Sequence, residues 1–417
     1  MKTTKITCLS LLFLTGTMLV LGAEPYRTDI NPALAYYRAF LMQPESMSQA
    51  DWDYLASKKG KEQKLPERFG AIVASYDYQF ELVRQAGHAT VPCIWGTDLY
   101  LSPNVALPHL GRAKAVARAA QVRVVWDLQH DQQDDARDDM LAAFVLGRNI
   151  ASHEFLIGAL VQDAIESINY GTVAEHFGEF SPETLKQLVD GFDAAPARHR
   201  VADCMPSEHG IYDWLLRAIQ ELQKAYPNDD AKVMAGFRES GYAAVVEFTG
   251  DTNFWQQITA ASGGTGEGLL KLAREMEPLF PRLTRIMALP QPEYEVQLKQ
   301  LLADTRESKN PFLTDYLILW RQIHFRLAEF KAQAQLGMVH AAVEYKLHGE
   351  AGLKSVMDPF GNGPFGFQRF VFKGVDRGFE LKSAYAGAEA PFVMIFVEKQ
   401  GPAFQIIGPD AGKAIDK

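Results

Sequence analysis

Apolar residues recur at three- and four-residue steps from Leu107 to Tyr170, and this spacing predicts three consecutive amphipathic helices. Short polar breaks separate the three segments, and each segment presents one apolar stripe that has to be buried. Small residues such as Ala117, Ala120 and Ala143 lie on these stripes and permit a close approach of the helices. The pattern is typical of stacked antiparallel helical hairpins.

Helix-start signals mark further helices on both sides of this stretch. Asn31 before Pro32, Ser48, and Ser181 before Pro182 are residue types that cap helix N-termini. Other amphipathic segments follow along the chain: Tyr212 to Ala225, Leu269 to Glu277, Tyr294 to Ala303 and Phe312 to Leu347. We therefore expect the body of the protein to be almost entirely helical.

The pattern changes after His348, where short runs of aromatic and β-branched residues replace the helical spacing. Four such runs are predicted strands: Phe367 to Lys373, Gly378 to Tyr385, Phe392 to Glu398 and Phe404 to Ile407. Gly, Pro and Ala separate them, as expected for turns. The sequence therefore predicts a small antiparallel sheet at the C-terminus.

One face of this sheet is predicted to be apolar. Two of the runs carry large apolar residues at every second position: Phe370 and Phe372 in the first, and Phe392, Met394 and Phe396 in the third. A lone sheet of short strands is only marginally stable. We therefore expect the apolar face to pack on the preceding helix, against Val339, Ala342 and Val343.

Together these patterns predict a mainly α protein of stacked antiparallel helical hairpins, similar to a helical repeat, with a small C-terminal antiparallel β-sheet. We assign residues 1–23 to a signal peptide, 24–347 to a helical domain, and 348–417 to a β module packed on the last long helix. With 417 residues, of which 47% are hydrophobic, the chain is long enough to bury a large core.

The N-terminus has the pattern of a secretory signal. Met1 to Lys5 is basic, and Thr7 to Gly22 is largely apolar, so we predict cleavage after Ala23. An uncleaved membrane anchor is the alternative, although the apolar run is shorter than the ~20 residues that span a bilayer. We therefore expect a periplasmic or secreted protein that touches a membrane only through this segment, if the segment is retained.

The two cysteines of the mature chain, Cys93 and Cys204, would lie in an oxidising compartment, where thiols tend to pair. One disulfide between them is possible. The alternative is that both are small buried hydrophobic residues, since free cysteine is among the most buried residue types. Neither lies in the basic, exposed setting that favours a reactive thiolate.

The segment from Ser207 to Trp214 holds the only cluster of residue types that resembles a hydrolase site. Glu208, His209 and Asp213 are the candidate catalytic residues. Catalytic triads, however, are assembled from separated segments, and Ser207 with Glu208 also fits an ordinary helix start. The hypothesis that the protein is a hydrolase would require a deep cleft that brings together several of five residues: Glu208, His209, Asp213, His153 and Asp163.

Three other motifs predict neither a metal nor a cofactor. The acidic run Asp131 to Asp139 lacks the Gly of a tight Ca²⁺ loop, so we expect a solvated helix start. His153 and Glu154 lack the second His of a zinc helix, because position 157 is Ile157. The Gly-rich run Ser262 to Gly268 lacks the Lys and Ser or Thr of a phosphate-binding loop, so we expect a flexible connection.

Several motifs together resemble an uncharacterised family of exported helical proteins of planctomycete-type bacteria. They are CIWG at Cys93–Gly96, LPHL at Leu107–Leu110, FLIGALVQDAIES at Phe155–Ser167, AAVEYKLHGE at Ala341–Glu350 and DPFGNGPFGFQRF at Asp358–Phe370. The last two are also similar to the tail of secretion-type pseudopilins. The resemblance implies a fold of helices followed by a small sheet, and it implies no catalytic residues, cofactor or substrate.

The sequence therefore favours an exported, non-catalytic helical scaffold or binding protein of the cell envelope. The net charge of −9 and the lack of a basic run argue against a nucleic-acid partner. Six aromatic residues could line a carbohydrate or peptide groove, although most are expected in the core: Tyr36, Tyr37, Tyr76, Tyr78, Trp95 and Trp126. The alternatives are an envelope hydrolase with a site near Glu208 and His209, or a component of a secretion or pilus-like assembly.

Overall fold

The computed structural model describes residues 26–44, 47–97, 106–152, 155–240, 253–306, 308–314, 317–386 and 391–415. The predicted signal peptide therefore lies outside the described residues. The described chain is mainly helical and ends in a three-stranded antiparallel sheet, which confirms the predicted fold class. Within the described residues, no helix combines the length and the apolar character that a membrane span requires.

The N-terminal part forms five helices, the first two of which begin at the predicted caps Asn31 and Ser48. They are α1 (Pro32–Leu41), α2 (Gln49–Ala56), α3 (Lys58–Glu62), α4 (Arg68–Ser75) and α5 (Asp77–Gly87). The side chain of Asn31 accepts a hydrogen bond from the Ala33 N–H at 3.1 Å. Ser48 Oγ accepts one from the Asp51 N–H at 3.2 Å. Each cap satisfies a backbone donor that the first helical turn leaves free.

Four longer helices form the centre of the molecule: α6 (Pro108–Gln129), α7 (Gln133–Ile150), α8 (Leu156–Glu175) and α9 (Pro182–Ala194). The first three pack against one another, in the segment where three helices are predicted. Ala117, Ala120 and Ala143 are all buried there, so their small side chains allow the close approach. Ser181 Oγ accepts from the Thr184 N–H at 3.0 Å and begins α9 as predicted.

A short 3₁₀ helix, Val201–Cys204, leads into the second half of the body. The helices there are α10 (Met205–Ala225), α11 (Asp230–Glu239), α12 (Phe254–Ala261), α13 (Gly266–Arg274), α14 (Leu279–Met287), α15 (Gln291–Arg306) and α16 (Pro311–Thr314). Helix α10 packs against α11, α13 and α14. Its apolar stripe is buried in the main core of the protein, because Leu215 and Ile219 belong to the same cluster as Phe280.

The longest helix, α17 (Leu317–Ser355), contains a kink near its C-terminal end. Gly349 adopts φ 65° there, a left-handed conformation that glycine tolerates better than other residues. Helical structure resumes after the kink, so it extends past His348, where the sequence pattern places the end of the helical body. The expected boundary at residue 348 therefore falls inside a helix.

The C-terminal sheet is a meander with the strand order β1 (Gly366–Phe372), β2 (Val375–Ala386) and β3 (Pro391–Val397). Both pairings are antiparallel, and Phe379 lies opposite Arg369 on one side and Phe396 on the other. The fourth predicted run, Phe404 to Ile407, forms only isolated bridges, from Ile407 to Met394 and from Phe404 to Ala414. Three of the four predicted strands are thus present in the described chain.

The two faces of the sheet are both covered, and this corrects one expectation. Phe392, Met394 and Phe396 lie in the main core, together with Val339, Ala342 and Val343 of α17, as predicted. Phe370 and Phe372, however, lie on the opposite face, where their rings contact Phe404 at 4.7 and 5.0 Å between centroids. The C-terminal segment covers that face, so the two sets of aromatic residues do not form one apolar surface.

Candidate functional site

The three catalytic candidates lie on the first three turns of α10 and do not form an enclosed site. His209 Nδ1 is 3.4 Å from Asp213 Oδ2, one helical turn away, and these side chains are 41% and 54% exposed. The His209 ring also contacts the ring of Phe280 at 5.1 Å. Glu208 lies in the first turn of the same helix. The arrangement is that of an i,i+4 pair on a helix surface.

Asp163 does not join that group, because it belongs to a buried ion network. Arg198 contacts Asp163 and also binds Glu166 at 3.1 Å between Nε and Oε2. Burial, with Glu166 and Glu329 close by, raises the pKa of the Asp163 carboxyl against the opposing effect of Arg198. His153 and Glu154 lie outside the described residues. No deep cleft is thus seen to gather the five hydrolase candidates within the described chain.

Cys93 and Cys204 are both buried, and neither is disulfide-bonded. They lie in different apolar clusters, Cys93 with the N-terminal helices and Cys204 with the main core. Burial raises the pKa of the Cys93 thiol to about 12, so this thiol is protonated at neutral pH. The structure therefore has the second of the two expected arrangements, two buried thiols without a bond between them.

The acidic run between α6 and α7 is less solvated than the sequence predicts. Asp134 and Asp135 lie in the first turn of α7, as expected for a helix start. Asp139 is fully buried, however, because Arg84 and Arg123 reach it from α5 and α6 at 2.5 Å. The run thus contributes an ion pair to the interior of the helix bundle.

The Gly-rich run is a tight connection that begins α13. Gly263 and Gly264 have φ of 64° and 68°, and Thr265 Oγ1 caps the helix by accepting from the Gly268 N–H at 3.0 Å. The cap uses a backbone donor that an anion would otherwise need. Among the described residues, no cluster of three or more His, Cys, Asp or Glu side chains could hold a metal ion.

Three of the six aromatic candidates are core residues, whereas Tyr37 is 36% exposed. Tyr36, Tyr76 and Trp95 are buried, and the Trp95 indole N–H donates to the Asn149 carbonyl at 2.8 Å. Tyr78 is half exposed. Trp126 differs from the others, because it lines a cleft.

We call this first cleft the aspartate cleft; it has a volume of about 380 Å³ and lies among α4, α5, α6 and α7. Its lining consists of Tyr26, Gly70, Val73, Ala74, Asp77, Glu81, Arg84, Arg123, Trp126, Asp127, Gln132 and Asp135. Arg123 donates to Asp77 at 2.7 Å and to the Val73 carbonyl at 2.8 Å. The Arg123 guanidinium makes both of these hydrogen bonds and also binds the buried Asp139. Arg123 is therefore fixed in position.

Asp127 is the unusual residue of the aspartate cleft. Its side chain lines the cleft although the residue is only 5% exposed, and its Oδ2 atom has no hydrogen-bond partner among the residues that the structure describes. Burial, together with the negative charges of Asp139 and Asp135, raises the pKa of the Asp127 carboxyl to about 7. The carboxyl is therefore poised between its neutral and charged forms near neutral pH.

We call the second and larger cleft, of about 680 Å³, the histidine cleft; it lies on another side of α6. Four parts of the chain contribute to it: Trp52, Leu55, Ala56 and Gly60–Leu65 from the α2–α3 region; Arg118, Gln121, Val122, Val125, Leu128, Gln129 and Asp131 from α6 and its end; Glu175, His176 and Glu179 from the end of α8; and Gln400 from the C-terminal segment. A cleft of this size matches the range of small-molecule sites.

The polar groups of the histidine cleft are ordered by specific contacts. His176 Nδ1 lies 2.9 Å from Glu179 Oε1, and Lys61 Nζ lies 2.6 Å from Glu175 Oε1. Gln400 donates to Glu179 from the C-terminal segment. Burial disfavours the charged imidazole, but the Glu179 hydrogen bond and the charge of Glu175 outweigh it, so the pKa of His176 is raised.

Of the residues that line these clefts, the sequence analysis singled out only Trp126 and, within the acidic run, Asp131 and Asp135. A usable signal for Asp127 was present, because Arg123 and Asp127 are spaced i,i+4 along a helix whose neighbouring positions are apolar. The spacing of His176 and Glu179 is likewise that of one helical turn. Nothing local, however, links Trp52 or Gln400 to them.

Comparisons with known proteins add no relatives to this picture. The chain matches no protein-family model, no curated protein and no solved structure.

Proposed function

We propose that the protein is an exported, non-catalytic binding protein of the cell envelope that takes a small carbohydrate ligand in the histidine cleft. The observation that carries this proposal is the composition of the cleft. Apolar side chains form part of its wall, and four glutamine side chains line it together with charges of both signs. The secretory pattern of the N-terminus supports export, and a cell envelope offers abundant glycans.

The apolar part of the cleft suits one face of a sugar ring. Trp52 supplies an indole with an amphipathic character, and Val122 and Val125 of α6 add aliphatic surface. The guanidinium of Arg118 lies 6.0 Å from the centroid of the Trp52 ring. An aromatic wall held by a cation resists rearrangement when a ligand enters.

The polar part of the cleft suits an uncharged ligand with many hydroxyl groups. Each amide side chain carries both donors and an acceptor, and four of them line the cleft: Gln63, Gln121, Gln129 and Gln400. The charges in the cleft are largely neutralised within it, because Lys61 pairs with Glu175 and His176 with Glu179. A strongly charged ligand would have to break these pairs.

The lining favours binding over nucleophilic catalysis. His176 with Glu179 resembles the base and orienting residue of a triad, which would act on a nearby Ser, Thr or Cys. None of those residue types is among the described lining residues of the histidine cleft. The exposed pair His209 and Asp213 offers no support for the hydrolase alternative, and no described feature favours a role in a secretion assembly.

The test is a calorimetric titration of the mature protein with chitobiose, cellobiose and maltose. We expect saturable binding of at least one disaccharide. Gln121→Leu should weaken that binding about 3- to 10-fold, because it removes one hydrogen-bonding amide at nearly constant volume. Gln257→Leu is the matched control, since Gln257 is an exposed residue of α12 and should leave the affinity unchanged.

Two results would contradict the proposal. The first is the absence of saturable binding by any of the three sugars. The second is equal affinity in Gln121→Leu and the wild-type protein, because the ligand would then lie elsewhere. Far-UV circular dichroism of both variants checks that their helices are intact.

A further inference from the structure

The aspartate cleft holds a polar group that no described residue satisfies. Asp127 is 95% removed from solvent, yet within the described chain its Oδ2 atom lacks a hydrogen-bond partner. A buried polar atom without a partner costs about 1 to 3 kcal/mol, and a native protein retains few of them. Although Oδ2 itself is buried, the Asp127 side chain lines an open cleft, so a ligand in the cleft lies beside this carboxyl and can supply the missing donor once the carboxyl turns toward it.

The charges around Asp127 determine the sign of the charge that such a ligand should carry. The acidic groups around it are Asp77 and Glu81 of α5 and Asp135 of α7, which line the cleft with it, and the buried Asp139 of α7; the basic groups are Arg84 of α5 and Arg123 of α6. Both guanidiniums are already committed to Asp139. With Asp127 counted, five carboxylates therefore face two guanidiniums, and the cleft lacks positive charge.

The side chains that line the cleft further restrict the kind of ligand that fits. Trp126 of α6 lines it next to Asp127, and its indole face attracts cations better than any other side chain does. The volume of about 380 Å³ admits a group of small size. A metal ion fits poorly, because the described residues contain no suitable set of three ligands.

We propose that the aspartate cleft is a second binding site, which receives an organic cation through a primary ammonium or guanidinium group held by Asp127 against Trp126. The cation donates to the free Oδ2 atom and offsets the excess of carboxylates. Because the cation pairs with the ionised carboxyl, binding releases the proton that the Asp127 carboxyl holds below pH 7. Affinity therefore rises with pH.

The experiment is a calorimetric titration of the full chain with 1,4-diaminobutane and, separately, with a terminally blocked Gly-Lys-Gly peptide. We expect saturable binding of at least one probe, about 10-fold tighter at pH 8 than at pH 6. The free diamine and the peptide distinguish a small metabolite from a basic side chain of a partner protein. 1-Butanol and KCl are the neutral and inorganic controls and should not compete.

The variants assign the binding to Asp127. Asp127→Asn should weaken it at least 10-fold at pH 8 and remove the pH dependence. Asp134→Asn is the matched control, because Asp134 is an exposed carboxylate in the first turn of α7 that does not line the cleft, and it should bind as the wild type does. Equal binding by Asp127→Asn, or no saturable binding of either probe at pH 8, would overturn the proposal.

A measurement on the unaltered protein keeps the test decisive if Asp127→Asn does not fold. Carboxyl-carbon NMR follows the titration of the Asp127 side chain directly. Saturating diamine should lower the pKa of this carboxyl by about one unit or more, because the bound ammonium stabilises its charged form. An unchanged titration in the presence of bound diamine would place the cation elsewhere and reject the site.

Discussion

The charged form of the Asp127 carboxyl destabilises the folded protein. The raised pKa of this group determines how the free energy of unfolding changes with pH. The folded protein holds the Asp127 proton up to about pH 7, whereas an unfolded chain releases it near pH 4. The folded state therefore binds more protons between these values, and the free energy of unfolding falls as the pH rises through this window. Above pH 7 the carboxyl is charged in both states, so the folded protein carries the full destabilisation caused by its buried charge.

We therefore expect Asp127→Asn to gain stability over the wild-type protein as the pH rises. The difference in the free energy of unfolding should move in favour of the variant by about 2 to 4 kcal/mol between pH 4 and pH 8. Urea denaturation at the two pH values measures it, with Asp134→Asn as the exposed control. A constant difference between wild type and Asp127→Asn would show that the pKa of Asp127 is ordinary.

At the residue scale the sequence predicts local features well and distant partners poorly. Asn31, Ser48 and Ser181 cap helices as predicted, because a cap depends only on the next three residues. The burial of Asp139 was not predicted, since it depends on Arg84, a residue 55 positions away that binds it at 2.8 Å. A charge pattern alone cannot reveal such a partner.

At the scale of elements, β3 joins the sheet to the helical body through Phe396. The Phe396 ring is fully buried and contacts Phe177, which follows α8, at 5.3 Å between centroids, and Phe379 of β2 at the same distance. Removing a buried phenylalanine ring leaves a cavity that the surroundings fill only in part. The cost should therefore be large.

Phe396→Ala should lower the free energy of unfolding by about 3 to 5 kcal/mol in denaturant titration. Val371→Ala is the control in β1, because Val371 is 57% exposed, and it should change the free energy by less than about 1 kcal/mol. A loss below about 1 kcal/mol for Phe396→Ala would mean that the face is solvated and open to a partner.

The alternation of residues within one strand predicted the buried face of β3 correctly. The same alternation could not place Phe370 and Phe372 relative to it, because the face of β1 depends on its register with β2. In the observed register Phe370 lies opposite Gly378, and Gly378 lies opposite Val397, so these phenylalanines share the outer face with Val397. A shift of the β1–β2 register by one residue would have placed Phe370 and Phe372 on the inner face of the sheet.

At the scale of the whole molecule, the sheet and the long helices share one apolar core. The main cluster includes buried residues from α6 to α17 and from β2 and β3, and Phe367 of β1 packs against it. The predicted division into a helical domain and a β module is therefore not visible as a break in the packing. The sequence predicted the packing of the sheet on α17, but it did not predict the contact of Phe396 with Phe177 after α8, because no local pattern links these two residues.

A buried ion network joins α8 to α17, with Arg198 at its centre. Its guanidinium contacts Asp163 and Glu166 of α8 and lies 3.6 Å from Glu329 of α17. Glu329 also accepts from the Val201 N–H at 3.1 Å. Removing one partner of a buried ion pair costs about 3 to 5 kcal/mol, because the remaining charges stay desolvated.

Arg198→Met, which keeps much of the side-chain volume, should therefore lower the free energy of unfolding by about 3 to 5 kcal/mol in urea. Arg200→Met is the matched control two residues away, because Arg200 is 63% exposed and pairs only with Asp203 at the surface, a kind of pair worth at most about 1 kcal/mol. If the two variants lose the same stability, the network does not hold α8 and α17 together. If only Arg198→Met is destabilised, and its helical and near-ultraviolet circular dichroism signals are lost in one transition, the contacts between these helices support the whole core.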